Sequence, residues 1–209
     1  MYKALLCSYC DKPADTRDHI IPKGFLEKPY PENLPTIPAC ARCNQSYSLD
    51  EEYCIYLADF LLSVSETDGD WVIDKANKIY EHQARRGTIL LEKRMLESIS
   101  VNDGRIYFTP ETERVKRIAK KIAVGLINIS FQQALLPENC HTFVAYKPFT
   151  NLFHWESLKQ CLTTTFQSGR FSYGLEETAE GDLIAYVLIL DAILAICSIE
   201  HPLVSRSAK

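Results

Sequence analysis

Two Cys-x-x-Cys pairs, Cys7–Cys10 and Cys40–Cys43, constrain this chain more than any other feature. Two residues between ligands let both sulfurs of a knuckle face one tetrahedral ion, and two knuckles complete a closed structural zinc site. The competing readings are a disulfide pair or a redox Cys-x-x-Cys. A reducing compartment argues against the first, and duplication of the motif against the second. The spacing therefore predicts one Zn²⁺ on four thiolates, with a 29-residue spacer between the knuckles. Cys54, Cys140, Cys161 and Cys197 lack such partners in sequence and read as small buried apolar residues.

That spacer is longer than a simple zinc ribbon needs, and its content is specific. It holds Asp18-His19 at the head of an apolar run and a proline-rich loop, and Asn44 follows the last cysteine directly. If Cys43 is fixed near Cys10, Asn44 is fixed with it, and Asp18 can return beside it. An Asp oxygen and an Asn oxygen suit a hard cation such as Mg²⁺ or Mn²⁺. Beside it, His19 has the ordinary pKa to take a proton from water near neutral pH. Neighbours on a regular strand face opposite sides, so Asp18 and His19 are expected at a strand end or bulge.

The rest of the chain sets bounds. Its 209 residues suit one large domain or two small ones, and 46% apolar residues suffice for a buried core. A net charge of −4 argues against coating nucleic acid by bulk positive charge. "MYKALLC" is too short for a signal peptide, and the longest apolar run, 183–199, carries Asp191 mid-way. A soluble, cytoplasmic protein with no membrane association is expected. Charge is blocked along the chain: residues 50–81 hold two Lys/Arg against nine Asp/Glu, and residues 82–121 ten against five.

Element signals follow in order. "SLDEEYCIYLADFLLSV" begins with a Ser48…Glu51 capping-box pattern and continues helically. Asp70 and Thr88 read as caps of two further helices, and "ISVNDGRIYF" as a hairpin. A long helix is expected from about Glu111 to Leu136, stopped by Pro137. One face carries Val115, Ile118, Ala119, Ile122, Leu126 and Ile129. Opposite lie Arg114, Lys116, Arg117, Lys120 and Lys121, a solvated face by default and otherwise a phosphate-contacting one. The last third reads as antiparallel strands turning at Ser168-Gly169 and Glu180-Gly181, with 183–199 either strand or buried helix. The fold class is α+β in three segments: a zinc finger at 1–54, a helical middle with a hairpin at 55–110, and an α+β region at 111–209.

Taken in order, "C-x2-C … DHIIP … NL … PAC-x2-CN" resembles the HNH endonucleases, whose core is a ββα-metal finger of two strands and a helix. The resemblance covers about the first 54 residues. "CNQSYSLDEEY" is also similar to a bacterial subgroup in which such a run leads into an acidic helix. The resemblance implies that His19 is the general base and Asp18 a ligand of the catalytic ion. Asn33 would hold the loop that orients His19, and Asn44 would take the place of the final His. Tyr47 stands near where many members carry a Lys.

The expected function is thus metal-dependent hydrolysis of DNA phosphodiester bonds, in restriction or anti-phage defence by resemblance. Structural zinc and catalytic Mg²⁺ or Mn²⁺ are the implied cofactors. Residues 55–209 would target or assemble the nuclease. Arg114, Arg117, Lys120 and Lys121 are the candidate DNA contacts, and a second copy or an operon-encoded protein the candidate partner. The alternative is a non-catalytic zinc module binding DNA or a protein. That module needs the cysteines but not Asp18, His19 and Asn44 together.

Overall fold

In the computed structural model, which describes residues 5–10, 12–65, 97–102, 105–132, 134–147 and 152–200, the spacer between the knuckles folds back on itself. Strands β1 (Thr16–His19) and β2 (Thr36–Ala39) pair antiparallel, with Asp18 opposite Ile37 and His19 opposite Thr36. Their connection is the proline-rich loop, closed by the Ile20 N–H on the Pro35 carbonyl at 3.0 Å. Helix α1 (Ala41–Ser46) follows β2 at once. Asp15 caps it, with Oδ1 accepting the Ala41 N–H at 2.7 Å.

Helix α2 (Ser48–Ser65) begins one residue after α1. The expected capping box is not formed. Because a helix already precedes Ser48, its hydroxyl donates back to the Gln45 carbonyl at 2.9 Å, three residues earlier. The two helices expected after Asp70 and Thr88 lie outside the described residues, except at the very end of the second. Beyond them, β3 (Ile99–Asn102) and β4 (Arg105–Phe108) form the predicted hairpin.

The long helix, α3, runs Thr112–Ser130 and ends six residues before the expected Leu136. Gln132 adopts a left-handed φ of 53°, which an α-helix cannot continue. The chain then turns back, and Asn128 fastens the return: its amide donates to the Leu135 carbonyl and accepts the Leu135 N–H. The buried stripe of α3 is broader than its apolar pattern, running Ile118–Ala119 and then without a break from Lys121 to Ile127, while Ile129 is exposed.

The C-terminal part is a five-stranded antiparallel sheet of order β5-β9-β8-β7-β6. Its strands are β5 (His141–Tyr146), β6 (Thr164–Phe166), β7 (Phe171–Glu177), β8 (Leu183–Ile189) and β9 (Ile193–Ile199). The 183–199 run is therefore two strands. Leu190 and Asp191, both at φ 52°, make a tight turn whose backbone twist matches the strands it joins. A short helix that the sequence reading missed, α4 (Leu152–Lys159), seats Trp155 fully buried among Ala145, Leu188 and Leu194.

Helix α3 lies between the finger and the sheet, packing on α2 and β2 and on β5, β8 and β9. One buried cluster runs from Cys7, Ile20 and Phe25 through Leu57 and Ile118 to Ala185 and Ile199. The sheet also grips the finger loop. Arg170 Nε donates to the Phe25 carbonyl at 3.1 Å, and the Gln167 amide donates to the Glu27 carbonyl at 2.7 Å. Among the described residues, no helix is long and apolar enough to cross a membrane.

Candidate functional site

The four knuckle sulfurs, from Cys7, Cys10, Cys40 and Cys43, all lie within 4.8 Å of one another. Cys10 Sγ and Cys40 Sγ, one from each knuckle, are 3.8 Å apart. Zinc–sulfur bonds of about 2.3 Å place tetrahedral ligands about 3.8 Å from each other, so the cluster fits Zn²⁺. No pair is disulfide-bonded. The backbone N–H of Cys43 pulls the Cys40 thiol down to about 7, against a smaller opposing effect of burial. Burial pushes Cys43 up. One ligand is thus ready as thiolate near neutral pH.

The cluster fixes Asn44. Its backbone N–H bonds the Cys40 carbonyl at 3.0 Å, and its amide nitrogen lies 3.3 Å from both Thr16 Oγ1 and the Arg17 carbonyl on β1. With the amide nitrogen turned to β1, no hydrogen bond among the described residues engages Asn44 Oδ1. Asn44 thus meets β1 at Thr16 and Arg17, the two residues that precede the Asp18-His19 pair.

Strand alternation divides Asp18 from His19. His19 is the last residue of β1 and half-buried, while Asp18 turns inward at 7% exposure. Asp18 Oδ2 accepts from the Tyr9 hydroxyl at 2.8 Å and pairs with Lys121 Nζ at 2.9 Å. Lys121 continues to Glu51 Oε1 at 2.6 Å, with its ammonium 5.2 Å from the centroid of the Tyr47 ring. Burial foremost, then the Asp18 charge, pushes the Tyr9 phenol well up, so it stays a donor. Asp18 thus has one oxygen saturated, whereas among the described residues no hydrogen bond engages Oδ1.

The His19 imidazole has no hydrogen-bond partner among the described residues. Its pKa is lowered, first by burial and then by the Lys23 charge; Lys121 adds to this and Asp18 opposes it. The neutral, proton-accepting form is therefore favoured. Asn33 is exposed in a turn, and among the described residues its side chain forms no hydrogen bond. The Ile20–Pro35 backbone bond closes the loop that Asn33 was expected to hold.

The basic side of α3 departs most from expectation. Lys121 is 1% exposed and serves Asp18 and Glu51, so it is no surface contact. At about 100° per residue it lies beside Ile118, not opposite, a signal the face assignment overlooked. Arg117 bonds the Ser46 carbonyl and hydroxyl, pairs with Asp50, and stacks 4.6 Å from the Tyr47 centroid. Arg114 pairs with Glu111 at 2.8 Å and Asp50 at 3.4 Å. Lys120 alone of the four has no ion pair among the described residues and is half-exposed. Asp50 and Glu51 of the acidic block thus pair with Arg114, Arg117 and Lys121 of the basic block where α2 meets α3. Tyr9 and Glu51 were not anticipated as site residues; the position of Tyr9 inside the first knuckle was the available clue.

Comparison with family models, with curated proteins and with solved structures returns no match.

Proposed function

We propose that this chain is an HNH-type endonuclease, with β1, β2 and α1 as its ββα-metal finger and DNA phosphodiester bonds as its substrate. The observation that carries the reading is the four-sulfur cluster, which holds Asn44 against β1 at Thr16 and Arg17, the residues that lead into Asp18-His19. His19, lowered in pKa and without an internal partner, accepts the proton of the attacking water. Asp18 and Asn44 would hold Mg²⁺ or Mn²⁺ through their remaining oxygens. Bound there, the ion supplies positive charge for the phosphate oxygens and the leaving 3′ oxygen. Restriction or anti-phage defence is the setting that the resemblance suggests.

A second reading, a non-catalytic zinc module, is favoured by one observation. Lys121 already gives Asp18 a cationic partner, as a purely structural carboxylate would require. Plasmid incubated with Mg²⁺, Mn²⁺ or EDTA separates the two. Cleavage that needs the ion and is lost in His19→Ala supports the nuclease. Intact plasmid under every condition, with zinc bound, supports the module.

A further inference from the structure

With Arg114, Arg117 and Lys121 committed to carboxylates of the chain itself, the positive surface must be sought elsewhere. The exposed face of β1 supplies it. Arg17 and His19 lie two apart on the strand, so they share the face opposite Asp18, about 7 Å from each other along the chain. Arg17 is exposed, yet its guanidinium is held in place: Nε donates to Thr36 Oγ1 at 2.8 Å and Nη2 to the Thr36 carbonyl at 2.9 Å. Thr36 is the residue directly opposite His19. Four residues after His19, Lys23 is exposed in the turn that follows Pro22, 5.5 Å from the Tyr30 ring centroid. Among the described residues neither cation has a carboxylate partner.

We propose that Arg17 and Lys23 form the phosphate seat of the finger and bind the DNA backbone on either side of the bond facing His19. Arg17 is suited to it because Thr36 fixes one side of the fork while no hydrogen bond among the described residues engages Nη1, so less freedom is lost on binding. Lys23 contributes a mobile point charge. This inference rests on the nuclease reading and names how that site takes its substrate.

The test is binding of a short fluorescein-labelled DNA duplex by the zinc-loaded full chain with no added Mg²⁺ or Mn²⁺, followed by anisotropy over a salt series. Each phosphate neutralised on duplex DNA contributes about 0.9 to the slope of log K against log salt. The Arg17→Gln/Lys23→Gln variant is expected to lose about 1.8 of that slope with zinc content unchanged, and Arg17→Lys to keep it. A wild-type slope in the double variant overturns the seat, as does failure of the wild-type chain to bind. Slope loss in a chain that never cleaves plasmid leaves the seat standing and removes the nuclease reading alone.

Discussion

Lys121 Nζ stands 2.9 Å from Asp18 Oδ2, joining the central helix of the C-terminal part to the strand that carries His19. Both groups are almost fully buried, and neither has water to fall back on. Removing one partner leaves an uncompensated charge at a cost of about 3–5 kcal/mol. Lys121→Met should therefore lower stability by about that much in chemical denaturation. Tyr9→Phe removes only a hydrogen bond to the same oxygen and should cost about 1.5–3 kcal/mol. Asp18→Asn combined with Lys121→Met should cost less than the sum of the singles, a shortfall that a double-mutant cycle reads directly.

The four-thiolate cluster organises everything that precedes α2. Purified chain should contain one zinc per molecule by elemental analysis. Stripping the metal, or replacing Cys40 or Cys43 by Ser, should lose the β1–β2 hairpin before the C-terminal sheet. The expected scale is set by zinc-finger peptides, whose apparent binding free energy is about 10–16 kcal/mol near pH 7. Hydrogen exchange resolved by segment checks the order of loss.

Replacing His19 by Ala should lower cleavage by about 10²–10⁴-fold, with zinc content and melting temperature unchanged. The pH profile follows from the direction of its shift. A general base works when neutral, and burial with the Lys23 charge lowers the His19 pKa. The rising limb of log(kcat/KM) should then fall below the ordinary histidine value of about 6.5. Lys23→Gln removes a depressing charge and should move that limb upward.

Gly125 of α3 packs against Ile20, the residue after His19. A Cβ at position 125 would lie 2.9 Å from Ile20 Cγ1 and 3.0 Å from Cγ2. Ala is the better helix former by about 1 kcal/mol, which alone would favour the substitution. Ile20 is fully buried and has no room to yield, so the steric cost of about 1–3 kcal/mol is expected to prevail. Gly125→Ala should lower the melting temperature and reduce cleavage by displacing the segment that carries His19.

The sequence by itself determined the local pieces. The Cys-x-x-Cys pairs gave a thiolate cluster because ligand spacing is a short-range constraint, and Asn44 followed because it is bonded to a ligand. Asn-Asp-Gly gave the β3–β4 hairpin, and Ser48 marked the start of α2, through backbone preferences that act within a few residues. Tertiary structure decided what those pieces face. The 183–199 run became two strands because Leu190 and Asp191 turn it, where apolar periodicity left strand and helix equivalent. The α3 cations became internal fasteners because Asp50, Glu51 and Asp18 come within ion-pair distance only when α2 and β1 pack against that helix. Charge along a chain records which groups are present. Which of them meet water, a carboxylate or a substrate depends on packing between segments 70 and more residues apart, as for Lys121 with Glu51.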